Sequence, residues 1–241
     1  MRKIFFLLFL TCNFSLVSFS QATFKQTDIL KSYKEAEELI NLGKYAVAQP
    51  FLQDFLQKYE NKTLDKSNLI YADAIYLKAL CEKETASPEA EKDLQYFADN
   101  FKGHPKTNNA YFHLGDLAYA KSNYNDALAF FDKVDEKSLT GKDVTEFQYK
   151  RAFANFALKK FSQARMYFNQ ITVNKKHPYN EEGYYYSGLS SYYLKDYNAA
   201  YKSFQQLELS KNTGRLCLIT SHLLNSSIKI TKVWWIMLNP N

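Results

Sequence analysis

The sequence predicts an all-α fold, a solenoid of stacked antiparallel helix pairs, and three observations carry that prediction. A fixed apolar pattern recurs along the chain; nineteen Tyr and nineteen Phe stand against only seven Gly and five Pro; and short polar turns interrupt the pattern at regular places. So few Gly and Pro cannot supply the turns of a sandwich or barrel built from many short strands. An apolar share of 46% over 241 residues is ample for a core. The formal charge of +6 is spread along the chain, with Lys interleaved among Asp and Glu. That is the pattern of a solvated helical surface and not of a nucleic-acid footprint.

In chain order, residues 1–20 come first and read as a secretory signal peptide. Arg2 and Lys3 are its positive start, Ile4 to Leu10 its apolar run, and Ser18-Phe19-Ser20 or Ser20-Gln21-Ala22 its small-x-small cleavage pattern. Thr11, Cys12, Asn13 and Ser15 break the apolar run, which leaves it too short and polar to span about 30 Å of hydrocarbon. Lipidation of Cys12 is the other reading of this segment, against a poor lipid-attachment context in Phe9-Leu10-Thr11. Removal of the segment would leave Cys81 and Cys217, which make no disulfide framework.

Residues 25–104 are expected to form two degenerate helix pairs and residues 105–215 three clear ones. In the clear pairs Gly115, Tyr124, Ala127, Phe131 and Val134 are answered by Ala152, Phe161, Ala164, Phe168 and Ile171, and then by Gly188, Tyr197, Ala200, Phe204 and Leu207. Upstream, Gly43-Lys44-Tyr45 leads to Ala48, Leu52 and Phe55, and Ala90, Leu94 and Phe97 repeat the same spacing. Steps of three and four put these residues on one stripe of a helix, and Ala or Gly at the crossing lets two helices approach closely. One hairpin cannot bury its stripe alone, so hairpins stack. The Ala markers 48, 90, 127, 164 and 200 lie 42, 37, 37 and 36 residues apart. Pro105 and Pro178 punctuate the loops between pairs.

These residues resemble the tetratricopeptide repeat. Tyr111, Leu114-Gly115, Ala118, Ala127, Phe131 and Val134 match the places of its consensus, and the likeness covers about residues 35–215. Two departures stand out: Gln148 replaces the first aromatic of the fourth pair, and Ser87-Pro88 replaces the Gly-x-Tyr turn of the second. The resemblance implies a right-handed superhelix with a concave groove lined by the first helix of each pair. Carried over position by position, it implies a protein-binding groove of Asn109, Phe112, Asp116 and Tyr119, then Glu146, Tyr149, Phe153 and Phe156, then Glu182, Tyr185, Leu189 and Tyr192. Tyr suits such a surface, having a large apolar body and a polar tip.

Catalytic chemistry is not expected. The four histidines, His104, His113, His177 and His222, form no His-x-x-x-His pair, and His113 with Asp116 offers two ligands where a metal site needs three or four. No phosphate loop, nucleophile elbow or zinc-protease motif is present. No cofactor and no metal are implied. The resemblance and the exported N-terminus together imply a non-catalytic protein–protein interaction scaffold of the bacterial cell envelope, periplasmic or associated with the outer membrane, whose partners are envelope proteins or peptides. Two alternatives stay open: a peptide- or glycan-binding module, and the N-terminal part of a longer repeat array.

The pattern stops after Gly214-Arg215, and residues 216–241 read as a non-repeat tail. Trp and Met have single codons, so part of the underlying nucleotide sequence follows from Trp234-Trp235-Ile236-Met237. Read from the last base of the preceding Val233 codon, these bases force Val-Asp, and the same frame upstream permits Asn-Tyr. The composite N-Y-x-x-V-V-D-Y-A-K-P resembles the turn and second helix of one more repeat. The expectation is a frame slip near codon 215, with Cys217, Trp234 and Trp235 carrying no function. The last intact pair, 183–207, should then expose an apolar face.

Overall fold

The computed structural model describes residues 30–61 and 68–209, and every regular element in them is a helix. The expected signal peptide and the tail 216–241 lie outside the described residues. The first helix, α1, covers 30–41. It is followed by α2 (Tyr45–Glu60), α3 (Leu69–Glu84), α4 (Ala90–Asn100), α5 (Thr107–Ala120), α6 (Tyr124–Phe131), α7 (Gly141–Ala157), α8 (Phe161–Val173), α9 (Asn180–Tyr193) and α10 (Tyr197–Leu209). A short 3₁₀ turn, Glu136–Ser138, precedes α7. The chain forms two compact units divided inside α5, between His113 and Leu114.

Every pair closes with the same backbone turn. The chain leaves the first helix through one residue in the left-handed region, Gly43, Ala86, Ser122, Lys159 or Lys195, with φ between 55° and 69°. Its N–H bonds the carbonyl three residues back, and the next N–H reaches five residues back, as in Ser122 to Tyr119 (2.8 Å) and Asn123 to Ala118 (2.9 Å). This double bond is the Schellman ending of a helix, and it satisfies carbonyls that would otherwise be left over. Four of the five residues carry a side chain there, at about 1–2 kcal/mol each before the entropy of glycine is set against it. Lys159→Gly and Lys195→Gly are therefore expected to raise stability by about 0.5–1 kcal/mol each, read by urea unfolding.

Seven residues before each of these turns stands a small residue: Ala36, Ala79, Gly115, Ala152 or Gly188. All five are buried. A Cβ added to Gly115 would sit 2.4 Å from Cε1 of Phe131, and one added to Gly188 would sit 2.7 Å from Cε1 of Phe204. At Gly115 and Gly188 the small column is thus the place where the second helix presses its Phe against the first. The second pair keeps this design with one residue fewer in the turn, since Ala79 precedes Ala90 where Ala36 precedes Ala48.

In the first unit, α2 packs on α3 and α3 on α4. Its core holds Ala48, Leu52, Phe55, Leu94 and Phe97, none of them exposed. Tyr59 stacks on Tyr71 at 5.0 Å, and Lys78 ties Glu82 to Asp93 at 2.5 Å each. Cys81 is a wholly buried free thiol, pushed up to about 11 by burial and by Glu82 and Glu84. It is a core residue, not a nucleophile. In the second unit, α6 packs on α7, α7 on α8, α8 on α9 and α9 on α10, while the first helices α7 and α9 also touch directly. Phe131, Phe147 and Phe168 are fully buried there.

Candidate protein-binding face

The groove residues implied by the repeat positions divide between the two units. On the part of α5 in the first unit, Asn109 is half-buried and Phe112 is buried, its ring 5.2 Å from that of His113. His113 is itself buried, with Nε2 3.2 Å from the Tyr76 hydroxyl. Among the described residues, no group of three or more His, Cys, Asp or Glu is placed to hold a metal ion.

In the second unit the other positions fall into two groups. Tyr119, Tyr149, Phe153, Phe156 and Tyr192 are half-buried, whereas Tyr185 and Leu189 are each only 8% exposed and pack with Leu207 of α10. The half-buried rings interlock. Phe153 meets Tyr119 at 5.9 Å and Tyr186 at 5.2 Å, Phe156 meets Tyr186 at 5.1 Å, and Tyr149 stacks on Tyr179 at 4.4 Å. Burial drives the phenols of Tyr119, Tyr149 and Tyr185 well above the usual range, so all three stay neutral donors at any physiological pH. Edge-on and offset contacts of this kind contribute about 0.5–1.5 kcal/mol each beyond the area they bury.

Two of the charged positions, Asp116 and Glu146, are neutralised by lysines. Lys150 lies between Asp116 and Glu146, hydrogen-bonding both, with Glu146 Oε2 at 2.7 Å. Lys142 also reaches Glu146, at 2.9 Å. Burial works to raise the Glu146 carboxyl, but the bonds from Lys150 and Lys142 outweigh it and hold the group below its ordinary value. Position and chemistry of Glu146 and Lys150 follow from their separation by one helical turn. The partnership with Asp116 could not be read that way.

Gln148, the departure from the repeat consensus, has its own structural work. Its amide bonds Glu136 Oε1 at 2.5 Å and accepts from His177 at 2.9 Å, joining the two loops that flank α7 and α8. His177 Nδ1 accepts from the Tyr179 N–H at 3.1 Å, so the neutral ring uses both nitrogens. Burial lowers the His177 pKa below its ordinary 6.5. A base with a depressed folded pKa stabilises the fold above its unfolded pKa and loses that contribution as pH falls. Stability is therefore expected to drop as pH falls below about 6.5, and His177→Gln to flatten that part of the profile, read as urea midpoints from pH 7.5 to 5.

No family profile matches the chain and no curated protein matches it. Solved structures do. A putative kinesin light chain of Podosopora anserina with nearly identical TPR-like repeats aligns at TM-score 0.54 and 15% identity, over 75% of this chain and 93% of that one. A point variant of the same protein gives TM-score 0.55 at 14% identity, over 78% and 96%. The C-terminal part of a TPR repeat-containing protein from Cytophaga hutchinsonii aligns at TM-score 0.53 and 16% identity, over 87% of this chain and 82% of that one. At these identities the likeness concerns architecture, and the architecture is that of a helical solenoid of tetratricopeptide-like repeats.

Proposed function

We propose that the chain is a non-catalytic protein–protein interaction scaffold of the bacterial cell envelope, exported by its first twenty or so residues and binding partner proteins along the first helices of its pairs. The observation that carries the reading is the first-helix face of the second unit. α7 and α9 touch, and between them they hold a ribbon of half-buried rings, Tyr149, Phe153, Phe156, Tyr186 and Tyr192, with Asp116 and Glu146 already paired to Lys150 inside the unit. Rigid aromatic surface of this kind binds protein segments at a low entropic cost. Export rests on Arg2, Lys3 and the apolar run after them. Among the described residues no helix is long and apolar enough to cross a membrane.

The test is a crosslinked pull-down from the native envelope with the wild type, with Tyr119→Ala/Tyr192→Ala, and with Met166→Ala, an exposed residue of α8. The double variant is expected to lose its partners while circular dichroism shows it folded, and Met166→Ala to keep them. A folded double variant that retains every partner would exclude this face. Fractionation of the cells checks export separately, because a chain that stays in the cytoplasm with its first twenty residues attached cannot be an envelope scaffold.

A further inference from the structure

The second unit carries the same two-ring seat three times, once at the turn of each pair. Tyr119 and Tyr124 stand 5.6 Å apart, Phe156 and Phe161 5.7 Å, and Tyr192 and Tyr197 5.7 Å. Two of the seats are filled by a ring from the first helix of the following pair. Phe153 lies 5.9 Å from Tyr119 and 6.1 Å from Tyr124; Tyr193 lies 6.2 Å from Phe156 and stacks on Phe161 at 4.5 Å. The third seat receives no ring among the described residues beyond Tyr193, the chain neighbour of Tyr192. Tyr197 is accordingly 43% exposed, where its counterparts Tyr124 and Phe161 are half-buried.

Two further places on the same end repeat the comparison. Phe131 and Phe168 are sealed by Phe147 at 5.5 Å and by Tyr186 at 5.2 Å, each from the next first helix, whereas their counterpart Phe204 is only half-buried. Tyr201 is 44% exposed where Leu128, its counterpart in the third pair, is 8% exposed. Tyr197 and Tyr201, one helical turn apart, thus leave an apolar end on α10. Exposed apolar surface of this kind marks a contact site.

We propose that this end is the seat of a sixth helix pair of the same design, and that its codons survive in the neighbouring reading frame of residues 216–241. The filled seats say what the occupant must bring: a first helix with an aromatic ring for the Tyr192/Tyr197 seat and another over Phe204. The frame that starts on the third base of each codon permits both. Across the codons of Ile219-Thr220 it permits Tyr, at the place that Tyr186 occupies in its own pair, and across His222-Leu223 it permits Phe, at the place of Phe153. It permits a small residue across Ser221-His222, at the place of Gly188, and forces Val-Asp across Trp234 to Ile236. No stop codon is forced anywhere in that frame from Leu216 onward. A stacked array gains its stability from each added interface, and an end without its neighbour frays.

The test has two arms. Independent reads of the locus across codons 205–241 are expected to show a frame that differs by one or two bases near codon 215. The chain expressed from the corrected frame is expected to bind several-fold less of an apolar dye than the chain as printed and to melt higher, with Tyr197→Ala cancelling most of both gains. A locus that keeps the printed frame on independent reads overturns the proposal. So does a concentration-dependent dimer of the printed chain that Tyr197→Ala abolishes, which would make a second copy the occupant. A shift of the Trp234 and Trp235 emission by Tyr197→Ala overturns it as well, since the printed tail would then fill the seat.

Discussion

Phe168→Ala is expected to lower the stability of the second unit by about 3–5 kcal/mol. The ring is fully buried in a cluster with Ala152, Ala164 and Ile171, and it stacks on Tyr186 at 5.2 Å and 19° while meeting Tyr149 at 6.3 Å. Three helices, α7, α8 and α9, meet on it. Its removal costs the transfer of the ring and leaves a void that those helices cannot close, because α8 and α9 are already in close contact at Gly183, where even an added Cβ would stand only 3.1 Å from Cγ2 of Ile171. Against a total of about 5–15 kcal/mol for a domain, such a loss takes a large part of the folded state. Phe168→Leu keeps most of the volume and should cost clearly less. Urea unfolding followed by far-ultraviolet circular dichroism reads both. A loss from Phe168→Ala no larger than that of an exposed residue would mean that α8 and α9 do not share a core.

That cluster was legible in the sequence because burial leaves a period. Ala164, Phe168 and Ile171 stand at steps of four and three that one stripe of α8 satisfies, Ala152 faces them from α7, and the pattern recurs. The turns were legible as short polar breaks, but the left-handed residue in them only at Gly43. Ala86, Ser122, Lys159 and Lys195 adopt the same left-handed conformation without the residue that announces it, because hydrogen bonds across the turn outweigh the strain. The second pair is degenerate for a related reason: with one residue fewer in its turn, its small residue Ala79 stands one place nearer to Ala90 than Ala36 does to Ala48. Gln148 stands where the repeat has an aromatic, and its amide links Glu136 to His177, a role with no signature in the sequence.

The groove was less legible than the fold. Repeat position says which helix face a residue occupies, but not how far the next helix covers it. Phe112, Tyr185 and Leu189 are buried, while Tyr149, equivalent to the first two, and Phe153, equivalent to the third, are half-buried. Tyr carries no signal to separate the two fates, since its ring fills a core as well as it serves a surface. Asp116 likewise gave no sign of its distant partner Lys150, for pairing between helices has no fixed spacing in the sequence.

Gly115→Ala is the second large effect, and its interest lies in how it is relieved. The new methyl would stand 2.4 and 2.5 Å from Cε1 and Cδ1 of Phe131. That ring is wholly buried and held edge-on by Phe147 at 5.5 Å, so it cannot swing away. Overpacking of this kind costs about 1–3 kcal/mol, and the better helix propensity of Ala returns about 0.8–1. A net loss of up to about 2 kcal/mol is expected by urea unfolding. The chain itself suggests the remedy. Where the first and second pairs have Ala36 and Ala79 in the small column, they have Leu52 and Leu94 in place of the Phe, all four buried. Phe131→Leu should therefore cost less in the Gly115→Ala background than alone, and the double-mutant cycle should give a favourable coupling of about 1 kcal/mol. Ala152 opposite Phe168 shows that Ala and Phe can share a pair when the two helices are set for it. If Gly115→Ala proves neutral, α5 and α6 adopt that setting freely, and the glycine is a matter of spacing preference. If the loss and the coupling both appear, the close approach at Gly115 is fixed by the packing of Phe131 against Phe147, and each pair in the unit holds the spacing of the one before it.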